Sequence, residues 1–481
     1  MAGIGFELRK LYDDGGRFAK PRAYGYAAMI YVGPMILGLL MMVSLVYFSW
    51  LAGMSNNERD SLLSMISYSL FGSLLVTNLF SLIVVRYSSD MIYEGKFSKI
   101  LPAYYASSAL ILVLGSVVYG IFLAFSGLSL LEGGLVWLLF GELCLCWNVT
   151  NFLTALEDYQ VILKAYIVAI LFLLALGTVT LFFQIPQGLL VSICGAYGLL
   201  LLGLTRALTQ QFPHSGEVSF EFLGWYDRFG DLFKVGFYSF IGLFSHIVLV
   251  WFSPLGKAHI GLFRTAPVYD VPAMLAFMTT LIATVSFVVS VEVHFYPKFR
   301  RYYSLYNDKG SFLQIQQAET DMLNVLQIQM KYLAWKQLLG TIIVMFVGSI
   351  LLSYLPLGFN AQMKSYFQTL CLGYGLYAVG NSSLLILLYF ADYQGSKECA
   401  RLFAGLSFVL SFLSLFMDRS FYGYGYGFLL AAAVLFFSSV RRLNVYIDKL
   451  SYHILGKQPL FPKSERGFFT RLAEILNQWG E

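Results

Sequence analysis

The sequence predicts an all-α, polytopic membrane protein with twelve transmembrane helices in two six-helix lobes around a central cavity. Three observations carry this expectation. First, 58% of the 481 residues are apolar and 12% are charged, whereas a soluble domain carries about 25% charged residues. A soluble globule could not hide so much apolar surface. Second, apolar runs of about 20 residues, the length of a bilayer-spanning helix, recur twelve times. Third, placing both termini on one side leaves only Arg59, Lys257, Arg264, Lys364 and Arg419 on the other, out of 32 basic residues. By the positive-inside rule both termini are cytoplasmic. The net charge of +5 follows from that topology, and no nucleic-acid partner is needed.

The spans are placed near 23–52, 61–85, 102–126, 133–156, 161–183, 187–208, 235–255, 271–293, 334–356, 365–391, 400–417 and 421–440. Residues 1–22 form a cytoplasmic lead-in, 23–208 the N-lobe, 209–234 a linker, 235–440 the C-lobe and 441–481 a cytoplasmic tail. The first span is read as an uncleaved helix. Within it Pro34, after Gly33, removes a backbone donor and marks a kink and a hinge for a mobile lobe. The second span carries an unusual polar load, including Tyr68 and Asn78 among several serines. The fourth holds Glu142, the one carboxylate placed deep in a helix, where an ionised group costs about 2.5–3.5 kcal/mol. Asn148 and Asn151 lie further along that span, three residues apart and on one face, turned away from Glu142.

The seventh span carries His246 at its middle, and the tenth carries Tyr377 and Asn381. Each polar group has two readings. Glu142 suits ion coupling or substrate contact, and equally a protonated acid bonded to a neighbouring helix. His246 suits a proton relay or a neutral core imidazole. Hydroxyls and amides can serve helix packing, or line a passage for a neutral hydroxylated solute. Aromatics reach 17%, more than an interfacial belt needs, and suit sugar rings. The five cysteines and five histidines show no disulfide framework and no metal spacing. No phosphate-binding Gly-Lys loop occurs, so a transporter without cofactor is favoured over an enzyme.

Three cytoplasmic stretches are amphipathic. One runs through Phe6, Leu8 and Leu11. A second, near 310–333, repeats Phe312, Ile315, Met322, Leu326 and Met330 at helical spacing. A third closes the chain, with Phe468, Phe469, Leu472, Ile475, Leu476 and Trp479 on one stripe and Arg466 near its start. They suit either the membrane interface or docking of a cytoplasmic partner, for which the Phe312 stripe is the leading candidate.

The opening MAGIGFELRK, leading into a first span with Gly33-Pro34, resembles the PelG family. These are exporters of Pel exopolysaccharide systems, in the polysaccharide-transporter branch of the superfamily that includes multidrug antiporters and lipid-linked oligosaccharide flippases. The resemblance implies a two-lobed bundle that moves a galactosamine-type polymer across the cytoplasmic (inner) membrane for a biofilm matrix. It also implies the partners PelF, a cytoplasmic glycosyltransferase, and PelD and PelE, membrane proteins. Three alternatives stay open: a flippase of a lipid-linked precursor, an ion-coupled small-molecule antiporter, and a non-transporting scaffold for a glycosyltransferase.

Overall fold

The computed structural model describes residues 11–12, 19–155, 159–185, 187–213, 217–307, 310–354, 359–418, 420–456 and 467–480. The opening decapeptide with Phe6 and Leu8, together with Arg419 and Arg466, lies outside the described residues. Among the described residues, eleven helices are long and apolar enough to cross a membrane. They are α1 (Pro21–Leu51), α2 (Asn56–Tyr93), α3 (Phe97–Ala124), α4 (Leu130–Ala155), α5 (Tyr159–Phe182), α6 (Gly188–Gln211), α7 (Glu221–Trp251), α8 (Pro267–Tyr306), α9 (Phe312–Tyr354), α10 (Ala361–Tyr389) and α12 (Tyr426–Ile447). Between the last two lies α11 (Tyr393–Ser414), whose first turns carry Lys397, Glu398 and Arg401. With it the bundle reaches the expected twelve. Two shorter helices follow, α13 (Leu450–Gly456) and α14 (Phe468–Gly480).

Side chains close the helix ends as their chemistry dictates. Ser55 and Glu58 form a reciprocal capping box at the start of α2, with Ser55 N donating to Glu58 Oε2 at 2.8 Å. Asn360 caps α10 by accepting from Met363 N at 2.8 Å. Asp392 caps α11 and is held in turn by Arg442 of α12, whose Nε and Nη2 donate at 2.6 and 3.0 Å.

Two compact units divide the chain. The N-unit comprises Gly33–Phe240, Lys257–Thr265 and Lys463–Glu481; the C-unit comprises Met1–Val32, Ile241–Gly256 and Ala266–Pro462. The boundaries therefore fall inside α1 and α7, rather than in the 209–234 linker. A helix can change neighbours midway without breaking, so an apolar run marks a span but not the unit that each half joins.

In the N-unit, an antiparallel hairpin of β1 (Lys257–Ile260) and β2 (Phe263–Thr265) packs beside α2. Its Phe263 is fully buried, edge-on to Tyr68 at 4.9 Å and to Phe122 at 5.3 Å between ring centres. Gly261 in the turn has φ +50°, and a Cβ there would overlap the Ser126 carbonyl oxygen. The N-unit also holds α14, whose first amides are capped by Asp227 at the start of α7. Thr470 N donates at 2.7 Å, Thr470 Oγ1 at 2.8 Å and Phe469 N at 3.2 Å. Further along, Asn477 Oδ1 accepts from Phe220 N at 2.8 Å, and Phe469 stacks on Tyr226. The tail stripe is thus partly spent on the chain's own linker. Asp227→Ala is expected to weaken this docking by about 1–3 kcal/mol. Hydrogen exchange should show the α14 amides exchanging some tenfold faster or more, with α2 to α6 unchanged.

In the C-unit, α9 is one unbroken helix of 43 residues, about 64 Å long at ~1.5 Å per residue. The expected separate helix near 310–333 is its first half. No Gly, Pro or cap interrupts 312–339, so only hydropathy changes there, not helicity. The stripe expected to receive a partner is covered by the chain itself. Met322 is 0% exposed and Leu326 2%, packed with Tyr302, Phe390 and Tyr446, while Ile315 and Met330 border the same cluster. Of the five docking candidates only Phe312, 82% exposed, stands clear. This corrects the docking assignment for Met322 and Leu326.

Candidate functional site

The eight candidate path residues divide between the units. Tyr68, Asn78, Glu142, Asn148 and Asn151 belong to the N-unit, and His246, Tyr377 and Asn381 to the C-unit.

In the N-unit, α4 supplies three polar groups that reach three different helices. Glu142 faces α6, where a Cβ on Gly198 would come within 3.0 Å of its Oε1. Its Oε2 is buried without a hydrogen-bond partner. Asn148 Nδ2 donates to Ser107 and Ser108 of α3, both at 2.9 Å, and its Oδ1 is left unpaired. Asn151 Oδ1 accepts from Ser81 Oγ of α2 at 2.9 Å. The two asparagines, expected on one face, therefore share no partner: three residues along a helix leave them about 60° apart, enough to meet different neighbours. Asn78 is partly buried, with its Oδ1 3.2 Å from where a Cβ on Gly236 would sit. Tyr68 serves the hairpin, its hydroxyl accepting from Arg264 N at 3.2 Å.

Much of the polar load on α2 is used locally. Ser69, Thr77 and Ser88 donate to carbonyls one turn back, on Met65, Ser73 and Val84. Others tie helices together, such as Trp147 Nε1 to Ser73 Oγ at 3.1 Å and Ser69 to Tyr119 at 3.1 Å. Ser and Thr in apolar surroundings do both.

In the C-unit His246 is enclosed. Its Nδ1 lies 2.7 Å from the Tyr269 hydroxyl, its Nε2 3.3 Å from the Tyr374 hydroxyl, and its ring stacks on Phe428 at 4.3 Å. A neutral imidazole offers one donor and one acceptor, so two phenols satisfy it completely. That is the arrangement of a core histidine. Tyr377 packs its ring on Phe403 at 5.6 Å, and Asn381 is partly buried.

Sequence reasoning missed Asp270, whose carboxylate accepts from Trp251 Nε1 at 3.0 Å and from Ala266 N at 2.9 Å. It joins the two ends of the chain that enter and leave the hairpin. The only signal was a carboxylate one residue outside the expected eighth span.

The hinge candidates sit at a backbone irregularity. Ala28–Val32 is a π-helical turn directly before Gly33 and Pro34. Proline has no N–H for the carbonyl four residues back, here that of Ile30, and a π-turn accommodates such a gap. Gly33 lies against α5, where a Cβ would meet Leu163 Cδ1 at 2.5 Å. Among the described residues, no group of three or more His, Cys, Asp or Glu could hold a metal ion. The groups present are hydroxyls, carboxamides and aromatic faces, with Glu142 the exception.

The exopolysaccharide exporter (EPS-E) family PelG matches residues 1–455. The chain belongs to the PelG family. No curated protein matches its sequence. Solved structures of similar fold include MATE transporters. A point mutant of a MATE transporter is 11% identical, with TM-score 0.61 over 90% of this chain and 97% of that one. An outward-facing MATE transporter of the MOP superfamily is 11% identical, with TM-score 0.54 over 88% and 96%. A eukaryotic MATE transporter is 14% identical, with TM-score 0.51 over 97% and 99%. At these identities the likeness shows the fold alone. This PelG-family chain is thus a multi-pass membrane protein with the transporter fold of that superfamily.

Proposed function

We propose that the chain exports a Pel-type polymer of N-acetylgalactosamine and galactosamine across the inner membrane of a bacterium, for a biofilm matrix, with both termini in the cytoplasm. The observation that carries this reading is the PelG-family match over residues 1–455. Hydroxyl- and carboxamide-bearing helices such as α2, α4 and α10 suit a sugar chain, which hydrogen-bonds without needing fixed counter-charge. Deleting the gene should abolish secreted polymer, read with a galactosamine-binding lectin, while the polymerising activity of the lysate persists. Undiminished secretion would overturn the reading.

The unpaired buried oxygen of Glu142 favours one rival, an ion-coupled antiporter for small cations. Under that reading Glu142→Gln should lower transport by at least tenfold. Under polymer export the same variant should secrete at near the parental level, because a neutral carboxamide fits the same space and a sugar chain needs no fixed charge there.

By family resemblance the partners are PelF, PelD and PelE. With Met322 and Leu326 buried, the surface of α9 left for a glycosyltransferase is its exposed end, Phe312 and Leu313, and the polar face through Gln316, Gln317, Asn324 and Gln327. Phe312→Ser with Leu313→Ser is expected to reduce PelF co-purification by about a hundredfold or more, since burying two such side chains is worth ~1.5–3 kcal/mol each. The yield of the folded exporter should not change.

A further inference from the structure

We propose that the C-unit carries a binding site for the phosphate of an anionic phospholipid, on the first half of α9 around Gln329. The inference rests on the membrane-spanning fold and not on the identity of the exported substrate. A cavity of about 320 Å³ opens where the second π-helical turn, Ser290–Phe295, and the last turns of α8 face α9. Its polar lining is His294, Lys298 and Gln329; its apolar lining is Val293, Pro297, Val325 and Ile328. Tyr12 stands edge-on to the His294 ring at 4.9 Å.

The polar lining is rich in donors. The Lys298 ammonium has three N–H groups, the Gln329 carboxamide two and the imidazole at least one. A phosphate oxygen accepts from all of them. The apolar residues suit the glycerol and first acyl carbons, and Ile328 is open to the outside.

Depth identifies the source of that phosphate. On α9 the side chains Leu339, Ile343, Phe346 and Ile350 are exposed and apolar, as lipid-facing residues are. They are bracketed by exposed aromatics: Tyr332 and Trp335 (70% exposed) at one end and Tyr354 at the other. Trp335 and Tyr354 lie about 28 Å apart along the helix at ~1.5 Å per residue, close to the ~30 Å of a hydrocarbon core. Aromatic belts mark the headgroup level. Ile328 and Gln329 fall about 9–10 Å beyond Trp335, among or just past the headgroups. A lysine-bearing, donor-lined pocket between membrane helices at that depth suits a lipid phosphate.

The opposing charges are explicit. Asp321 lies 3.6 Å from Lys298 in a half-exposed pair, and Glu292 stands on the π-turn itself. A lipid phosphate therefore competes with Asp321 for Lys298, which gives the proposal a sign.

The test uses full-length protein in mild detergent, offered phosphatidylglycerol or phosphatidylcholine in mixed micelles, with bound lipid counted by native mass spectrometry. Phosphatidylglycerol should be retained in preference. Lys298→Gln should reduce its retention about fivefold, whereas Asp321→Asn should raise it. If both variants change retention in the same direction, the pair is only structural and the proposal is overturned. Equal retention of the two lipids also overturns it, as does displacement of phosphatidylglycerol by millimolar inorganic phosphate, which would make free phosphate the ligand. Should Lys298→Gln fail to fold, Asp321→Asn and Gln329→Leu decide the matter, with a rise and a fall expected respectively.

Discussion

Met322→Ser combined with Leu326→Ser is expected to cost the protein its fold rather than a partner. Both side chains are enclosed by Tyr302, Phe390, Leu443 and Tyr446 from three other helices. Truncating one such residue costs about 2–5 kcal/mol through lost burial and the cavity left behind. The serine hydroxyls can donate one turn back along α9, so they add little, but they restore no volume. The two sites share neighbours and will not add exactly; even so, a loss of some 4 kcal/mol or more is large against the ~5–15 kcal/mol that holds a typical protein folded. Solubilised protein should run as aggregate on gel filtration, or melt far below the parent. A monodisperse double mutant with parental melting temperature would refute this. Phe312→Ser with Leu313→Ser serves as the control, because the same helix is altered where nothing covers it.

Gly261→Val should have the second large effect, confined at first to the hairpin. A β-branched residue at positive φ is strained by about 1–3 kcal/mol, and here the added carbon also overlaps the backbone of Ser126. Backbone cannot swing aside as a side-chain tip can. The turn must lift, and Phe263 then leaves the Tyr68 and Phe122 rings, a loss comparable to the ~3–5 kcal/mol of a buried Phe→Ala change. Trypsin is expected to cut the variant after Lys257 or Arg264 while sparing the parent. Gly261→Asn separates the two causes. Asparagine tolerates the backbone angle yet still carries the offending carbon, so it should be cut as well; protection of Gly261→Asn would show that the angle alone mattered.

These two sites also show what a sequence can and cannot disclose. Twelve spans were legible because each must present a long apolar run to lipid, even α11, where Lys397, Glu398 and Arg401 crowd the first turns. The fate of the stripe through Met322 and Leu326 was not legible. An amphipathic face has the same spacing whether it is covered by a partner or by the chain's own α8, α10 and α12. Polar residues inside the spans were equally ambiguous one at a time. His246 proves to be satisfied by two tyrosines 23 and 128 residues away in sequence, a closure that no local pattern records. Glu142 differs in having one buried carboxyl oxygen without a hydrogen-bond partner. Asp270 escaped notice because its role depends on a hairpin whose strands are four and three residues long, too short for any periodicity.

The two π-helical turns have a consequence for how their helices can move. In α1 the turn ends two residues before Pro34, and in α8 two residues before Pro297. Each is a helix with one residue more than its hydrogen-bond ladder requires, the one-dimensional counterpart of a dislocation in a crystal. A perfect lattice shears only by breaking every bond across a plane at once, whereas a dislocation glides by exchanging one bond at a time. Such a helix can therefore pass its surplus residue along the chain, and the residues it passes turn about the axis by one residue's worth, about 100°, with only one or two backbone bonds open at any moment. Proline fixes one end of that glide, because the ladder cannot be completed there in any register.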